Sequence, residues 1–155
     1  MGVVMFYHLT RSTPQATMAT ILPRALAQGW RVMLRGTDPA TLTQLDFALW
    51  LEPADGFLPH GLQGGAHDAD QPILLGTGAI GNSANTMMLI DNASTTPAEA
   101  QALERVWVLF DGADQDALAQ ARTLWTQLTG AGLAAQYWSE DSGRWEKKTE
   151  KAAAG

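Results

Sequence analysis

Apolar positions along this chain fall into short blocks that switch between two periods. "VVMFYHL", Val3 to Leu9, is a near-continuous apolar run of strand length, the pattern of a strand buried on both faces. Thr13 and Pro14 then supply a cap and a first helical residue, so a helix is predicted toward Gln28, with Gly29 as its stop and Pro23 as a kink point. "WRVMLRG", Trp30 to Gly36, predicts the second strand. Asp38 and Pro39 restart a helix in which Leu42, Leu45, Leu49 and Trp50 recur at helical spacing. A Pro- and Gly-rich loop follows. Short strands are predicted at Pro72 to Leu75 and Asn85 to Asn92, and a short helix within "ASTTPAEAQAL". Arg105 to Gly112 reads as a strong strand. Ala113 to Leu128 is the clearest helix, stopping at Gly130 or Gly132, and Leu133 to Trp138 closes with a strand.

This alternation predicts one α/β domain with three layers, a mostly parallel sheet and helices on both faces. In the middle, two strands occur with little between them, which predicts a local hairpin in a partly mixed sheet. The domain is expected to span residues 1–145. The polar stretch "RWEKKTEKAAAG" is expected to fray, leaving residues 146–155 as a disordered tail.

Composition narrows the function classes. The chain is 46% hydrophobic and 17% charged, below the usual quarter for charged residues, yet its apolar runs are far shorter than the roughly 20 residues needed to span a bilayer. The start of the chain lacks a basic n-region, so no signal peptide is read. With no cysteine, disulfides and thiolate metal sites are excluded, which fits a cytoplasmic location. The net charge is −6, and no Lys or Arg lies between Arg35 and Arg105, a stretch that holds Asp38, Asp46, Glu52, Asp55, Asp68, Asp70, Asp91, Glu99 and Glu104. Phosphate backbones are gripped by clustered cations, so direct nucleic-acid binding is not expected.

Candidate chemistry is sparse. "GTGAIG", Gly76 to Gly81, matches a dinucleotide fingerprint literally, but that motif works only where a helix begins at the glycines and aims free amides at a pyrophosphate. The next segment, "NSANTMMLIDN", reads as a strand, so a hairpin connection is expected. A Rossmann-type nucleotide- or cofactor-binding enzyme using Gly76 to Gly81 remains the alternative function. His67, Asp68 and Asp70 have no fixed metal-ligand spacing, and Asp111 reads as a capping or loop residue. No cofactor, metal or catalytic residue is expected.

Two stretches point to binding instead. On the last helix Ala117, Ala121, Leu124 and Leu128 form the core stripe, while Leu118, Arg122 and Trp125 stand side by side at four- and three-residue spacing. A guanidinium beside an indole suits the terminal carboxylate and hydrophobic last side chain of a peptide. From spacing alone, an aromatic at helical positions more often packs inward, which reads Trp125 as core and Arg122 as solvated. The second stretch is "FALWLEPADGFLPHG", Phe47 to Gly61, which places Trp50, Phe57 and Leu58 among prolines and glycines. Aromatic anchors in a loop can carry much of a protein interface, although Trp50 ends a helix and also reads as core.

Taken together, "FYHL", "LDFALWLEPADGFLPHG", "QPILLGTG", "NTMMLID", "RVWVLFDG" and "ALAQARTLWTQLTGAGLAAQYW" resemble the chi subunit of bacterial DNA polymerase III, in the family's order and over nearly the whole chain to about Trp145. The resemblance implies a Rossmann-like, non-catalytic accessory protein. It implies a link between the clamp-loader complex, usually through the small psi subunit, and single-stranded DNA-binding protein, whose acidic, hydrophobic C-terminal tail it holds. Residue by residue, the tail-binding arginine falls on Arg122 and its aromatic neighbour on Trp125. The family's pocket lysines fall on Leu118 and Thr126, leaving Lys147, Lys148 and Lys151 as cations to place. The Trp50 to His60 region, with Phe57 and Leu58, matches the family's partner surface.

Overall fold

The computed structural model describes residues 2–51 and 58–154. Among them the elements run β1 (Val3–Leu9), α1 (Pro14–Ala27), β2 (Val32–Arg35), α2 (Pro39–Leu51), β3 (His60–Leu62), β4 (Ile73–Gly76), β5 (Thr86–Leu89), α3 (Pro97–Gln101), β6 (Arg105–Asp111), α4 (Gln115–Gly130), β7 (Ala134–Ser139) and β8 (Glu146–Lys151). Local chemistry sets the helix boundaries. The Thr13, Thr96 and Asp114 side chains each accept a backbone amide of the first turn of α1, α3 and α4. Gly29, at φ +80°, follows the end of α1 in the left-handed conformation that favours glycine.

The strands form one sheet in the order β3-β4-β2-β5-β6-β1-β7-β8. Every pairing is parallel except that of β7 with β8. Alternation along β6 explains the apolar runs: Val106, Val108 and Phe110 face α3 and α4, whereas Trp107 and Leu109 face α1 and α2. Both faces are therefore buried, and the fold is the expected three-layer α/β domain.

Three features depart from the sequence reading. The expected hairpin between β4 and β5 is a crossover, because both strands lie parallel to β2 and flank it. Residues 77–85 return across the sheet without a helix, burying Ala84 and setting Ile80 against Met33 and Leu74. The Asn82 side chain ties this strap down by donating to the carbonyls of Val32 (3.1 Å) and Gln71 (2.8 Å). The second departure is β3, whose three residues are too few to show a period. The third is the C-terminal segment expected to fray, which is edge strand β8 over Glu146–Lys151. Backbone pairing to β7, interrupted by an irregularity between Tyr137 and Trp138, and the Trp145 ring edge-on to Tyr7 at 5.2 Å hold it in place. Its two Glu and three Lys suit an edge that must not recruit other strands.

Candidate functional site

Helix α4 covers β6 and β7. Its inward stripe of Ala117, Ala121, Leu124 and Leu128 is buried, as the spacing predicted. On the side toward β7, Leu118 and Trp125 are half-buried against the same core, and Arg122 between them is exposed. The Trp125 ring meets Phe6 edge-on at 5.3 Å and Tyr137 at 6.3 Å. Tyr137 also bonds through its hydroxyl to His8 Nδ1 at 2.9 Å, and His8 stacks on Phe110. Burial pushes the Tyr137 phenol up, while the nearby Arg122 guanidinium opposes and the Asp141 carboxylate adds to that shift. Part of the Trp125 ring therefore belongs to the core, and Arg122, three residues before it on α4, is exposed.

The second region lies at the opposite edge of the sheet. Trp50, in α2, is 52% exposed and lies against the His60 ring at 4.2 Å between centroids. His60 is buried, its ring nitrogens facing the Leu58 carbonyl and the Asp46 carbonyl (3.0 Å) and carboxylate (3.2 Å). Leu58 does not belong to an accessible surface. It is 3% exposed and packed into the core beneath α1 and α2, where it anchors the return to β3. Phe57 lies outside the described residues. Three residues that the sequence reading passed over join Trp50 instead: Phe47, Leu51 and Leu62, at 68%, 63% and 37% exposed. The signal was present, since α2 carries apolar side chains around its whole circumference, with Leu42, Leu45 and Leu49 inward and Phe47, Trp50 and Leu51 outward.

Ligands of open α/β sheets bind outside the carboxyl ends of the strands. Here that edge is occupied by the protein's own carboxylates. Asp91 accepts the amides of Thr37 (3.2 Å) and Asp38 (2.9 Å) ahead of α2. Glu140 accepts those of Thr10 (3.2 Å) and Ser12 (2.9 Å) ahead of α1. Asp111 takes the Ala113 amide at 2.9 Å. Arg35 is forked onto Glu99 at 2.7 and 2.9 Å, which with a Thr95 hydrogen bond holds the Glu99 carboxyl below its ordinary range against a partial burial penalty. At the glycine motif no helix follows Gly76 to Gly81, and the Gly78 amide is taken by Gln63 Oε1. The anion cradle that the fingerprint requires does not form. Asp68 closes its own loop by accepting the Gly64 and Gly65 amides, each at 2.9 Å, and among the described residues no cluster of His, Asp and Glu is arranged to hold a metal. No helix among them is long and apolar enough to cross a membrane.

By fold this is an open-sheet, Rossmann-like α/β domain whose glycine loop leads into a crossover strap and not into a helix. The family described as DNA polymerase III chi subunit, HolC, matches residues 1–136, and the chain belongs to that family. The DNA polymerase III subunit chi of Pseudomonas aeruginosa is 33% identical over 78 residues, which cover 48% of this chain and 54% of that protein. The match therefore spans about half the length of that relative.

Proposed function

We propose that this protein is a non-catalytic accessory subunit of the DNA polymerase III holoenzyme. It bridges the clamp-loader complex, through a psi subunit where one is present, to the acidic C-terminal tail of single-stranded DNA-binding protein. The observation that carries this reading is the α4 surface, where exposed Arg122 stands between half-buried Leu118 and Trp125, in a chain of the chi family. A guanidinium fork takes the terminal carboxylate of the tail, and the indole and leucine border its last hydrophobic side chain. The apolar patch of Phe47, Trp50, Leu51 and Leu62 is the second docking surface, toward psi or the clamp loader.

Calorimetric titration with an acidic peptide ending in Phe tests the first surface. Arg122→Ala removes directed, charge-assisted hydrogen bonds, which are typically worth about 1.5–3 kcal/mol, so affinity falls roughly tenfold to over a hundredfold. Arg122→Lys restores only part, because an ammonium lacks the planar fork. Thermal melts of the variants should match the wild type, since Arg122 is exposed. Equal affinity for all three proteins would remove Arg122 from the site.

A further inference from the structure

All three lysines of this chain, Lys147, Lys148 and Lys151, lie on β8, beyond the residues that the family matches. Register gives them different surroundings. Residues directly opposed in a ladder share a face. Thr149 is opposite Tyr137 and Lys151 opposite Ala135, and both β7 residues pack on the α4 side of the sheet. Lys147 is opposite Trp138, on the other face, where it pairs with Glu150 at 3.1 Å. Lys148 is held by Asp141 (3.3 Å) and Glu146 (3.8 Å). Among the described residues Lys151 makes no ion pair, and it is exposed.

Helix α4 runs antiparallel to β7, so its stripe Leu118, Arg122, Trp125 and Thr129 leads from the Ser139 end of β7 toward the Ala134 end. Thr149 sits about 5 Å across from Tyr137, and Lys151 a further 7 Å or so along β8 toward that second end. We infer that Lys151 is a second cation of the tail-binding surface, facing the acidic residues that precede the carboxylate held by Arg122. A bound peptide therefore runs from Arg122 past Trp125 and Tyr137 toward the end of α4, between that helix and β8. The inference rests on the tail-binding reading of Arg122. It gives the site, whose α4 carries Leu118 and Thr126 beside the arginine, a cation from a different element.

The control is built into the strand. Lys147→Glu and Lys151→Glu change the net charge equally but act on opposite faces. In titrations with the acidic peptide ending in Phe at low and moderate salt, Lys151→Glu is expected to weaken binding about three- to tenfold and to flatten its salt dependence, with Lys151→Gln intermediate. Lys147→Glu should stay within about twofold of the wild type. Equal losses in Lys147→Glu and Lys151→Glu, or none in either, alongside a large loss in Arg122→Ala, would overturn the role of Lys151 and leave the Arg122 site standing. Binding that is indifferent to Arg122→Ala would overturn both. Thermal melts confirm that each variant is folded at the temperature of titration.

Discussion

Glu140 is buried where the chain leaves β1 for α1, and its carboxylate collects the Thr10 and Ser12 amides and the Ser12 hydroxyl. Burial alone would raise its pKa. The hydrogen bonds from Ser12, with those of the Arg11 and Thr10 amides, outweigh burial and hold the carboxyl below the usual range. The sign of the pH effect follows. A carboxyl whose folded pKa is depressed contributes stability that is present above its unfolded value, about 4.3, and is lost as pH falls through the folded one. Glu140→Gln keeps an acceptor and loses the charge, so it should cost about 1–3 kcal/mol at neutral pH. In urea melts the gap between variant and wild type should close as pH falls from about 6 to 3. A gap that stays constant across that range would mean the charge is irrelevant and only the shape of the side chain matters.

At the scale of elements, the strap of residues 77–85 does the work of a helix with few interactions. Its side chains Ile80 and Ala84 cover Met33 and Leu74, and Asn82 fixes its depth. Asn82→Ala leaves two carbonyls without that donor in a buried setting. We expect a loss of about 1–3 kcal/mol in denaturant melts, with faster amide exchange in β2 and β4 than in β6. Uniform exchange across the sheet would show that the strap is not a local fastener. This element also marks the limit of what could be read from sequence. Val3–Leu9 and the caps Thr13 and Asp38 were legible because period and capping chemistry are local. Pairing partners are not local, so a glycine turn between two short strands reads as a hairpin although β2 lies between them in the sheet. β8 was illegible for a related reason: its side chains are polar, and its order comes from the free edge of β7 and from Trp145. The candidate site residues follow the same rule. Arg122 and Trp125 are legible as neighbours from spacing on one helix, whereas Tyr137 and the proposed Lys151 come to that side only through sheet register, and the burial of Leu58 depends on tertiary packing that no local pattern shows.

Across the whole molecule, the two candidate surfaces sit at opposite edges and on opposite faces. Trp50, on α2, rests on His60 of β3, and Arg122 and Trp125 stand on α4 near β7 and β8. Strands spaced about 4.8 Å apart put the outermost two roughly 34 Å from each other. Side chains that far apart, with no shared partner, act independently within about 0.5 kcal/mol. Trp50→Ala should therefore weaken binding to psi or the clamp loader while leaving acidic-peptide affinity unchanged, and Arg122→Ala should do the reverse. The double variant should show the sum of the two losses, measured by titration with each partner. A coupling above about 1 kcal/mol would contradict independence and argue for a conformational link between the edges.

The placement of those surfaces at the ends of one hydrogen-bonded sheet has a geometric result. Two sites joined by a flexible linker share only an average distance, and each partner tumbles relative to the other. A sheet behaves as a beam with a built-in twist, usually about 20° from strand to strand, so the far edge is turned by well over a right angle relative to the near one. Partners docked at these two proposed surfaces, at β3 and beside β8, would be held at one separation and one relative heading, as on the two ends of a propeller blade. Inserting residues into a surface loop would leave that heading intact, whereas adding or deleting a strand would swing one partner away from the other.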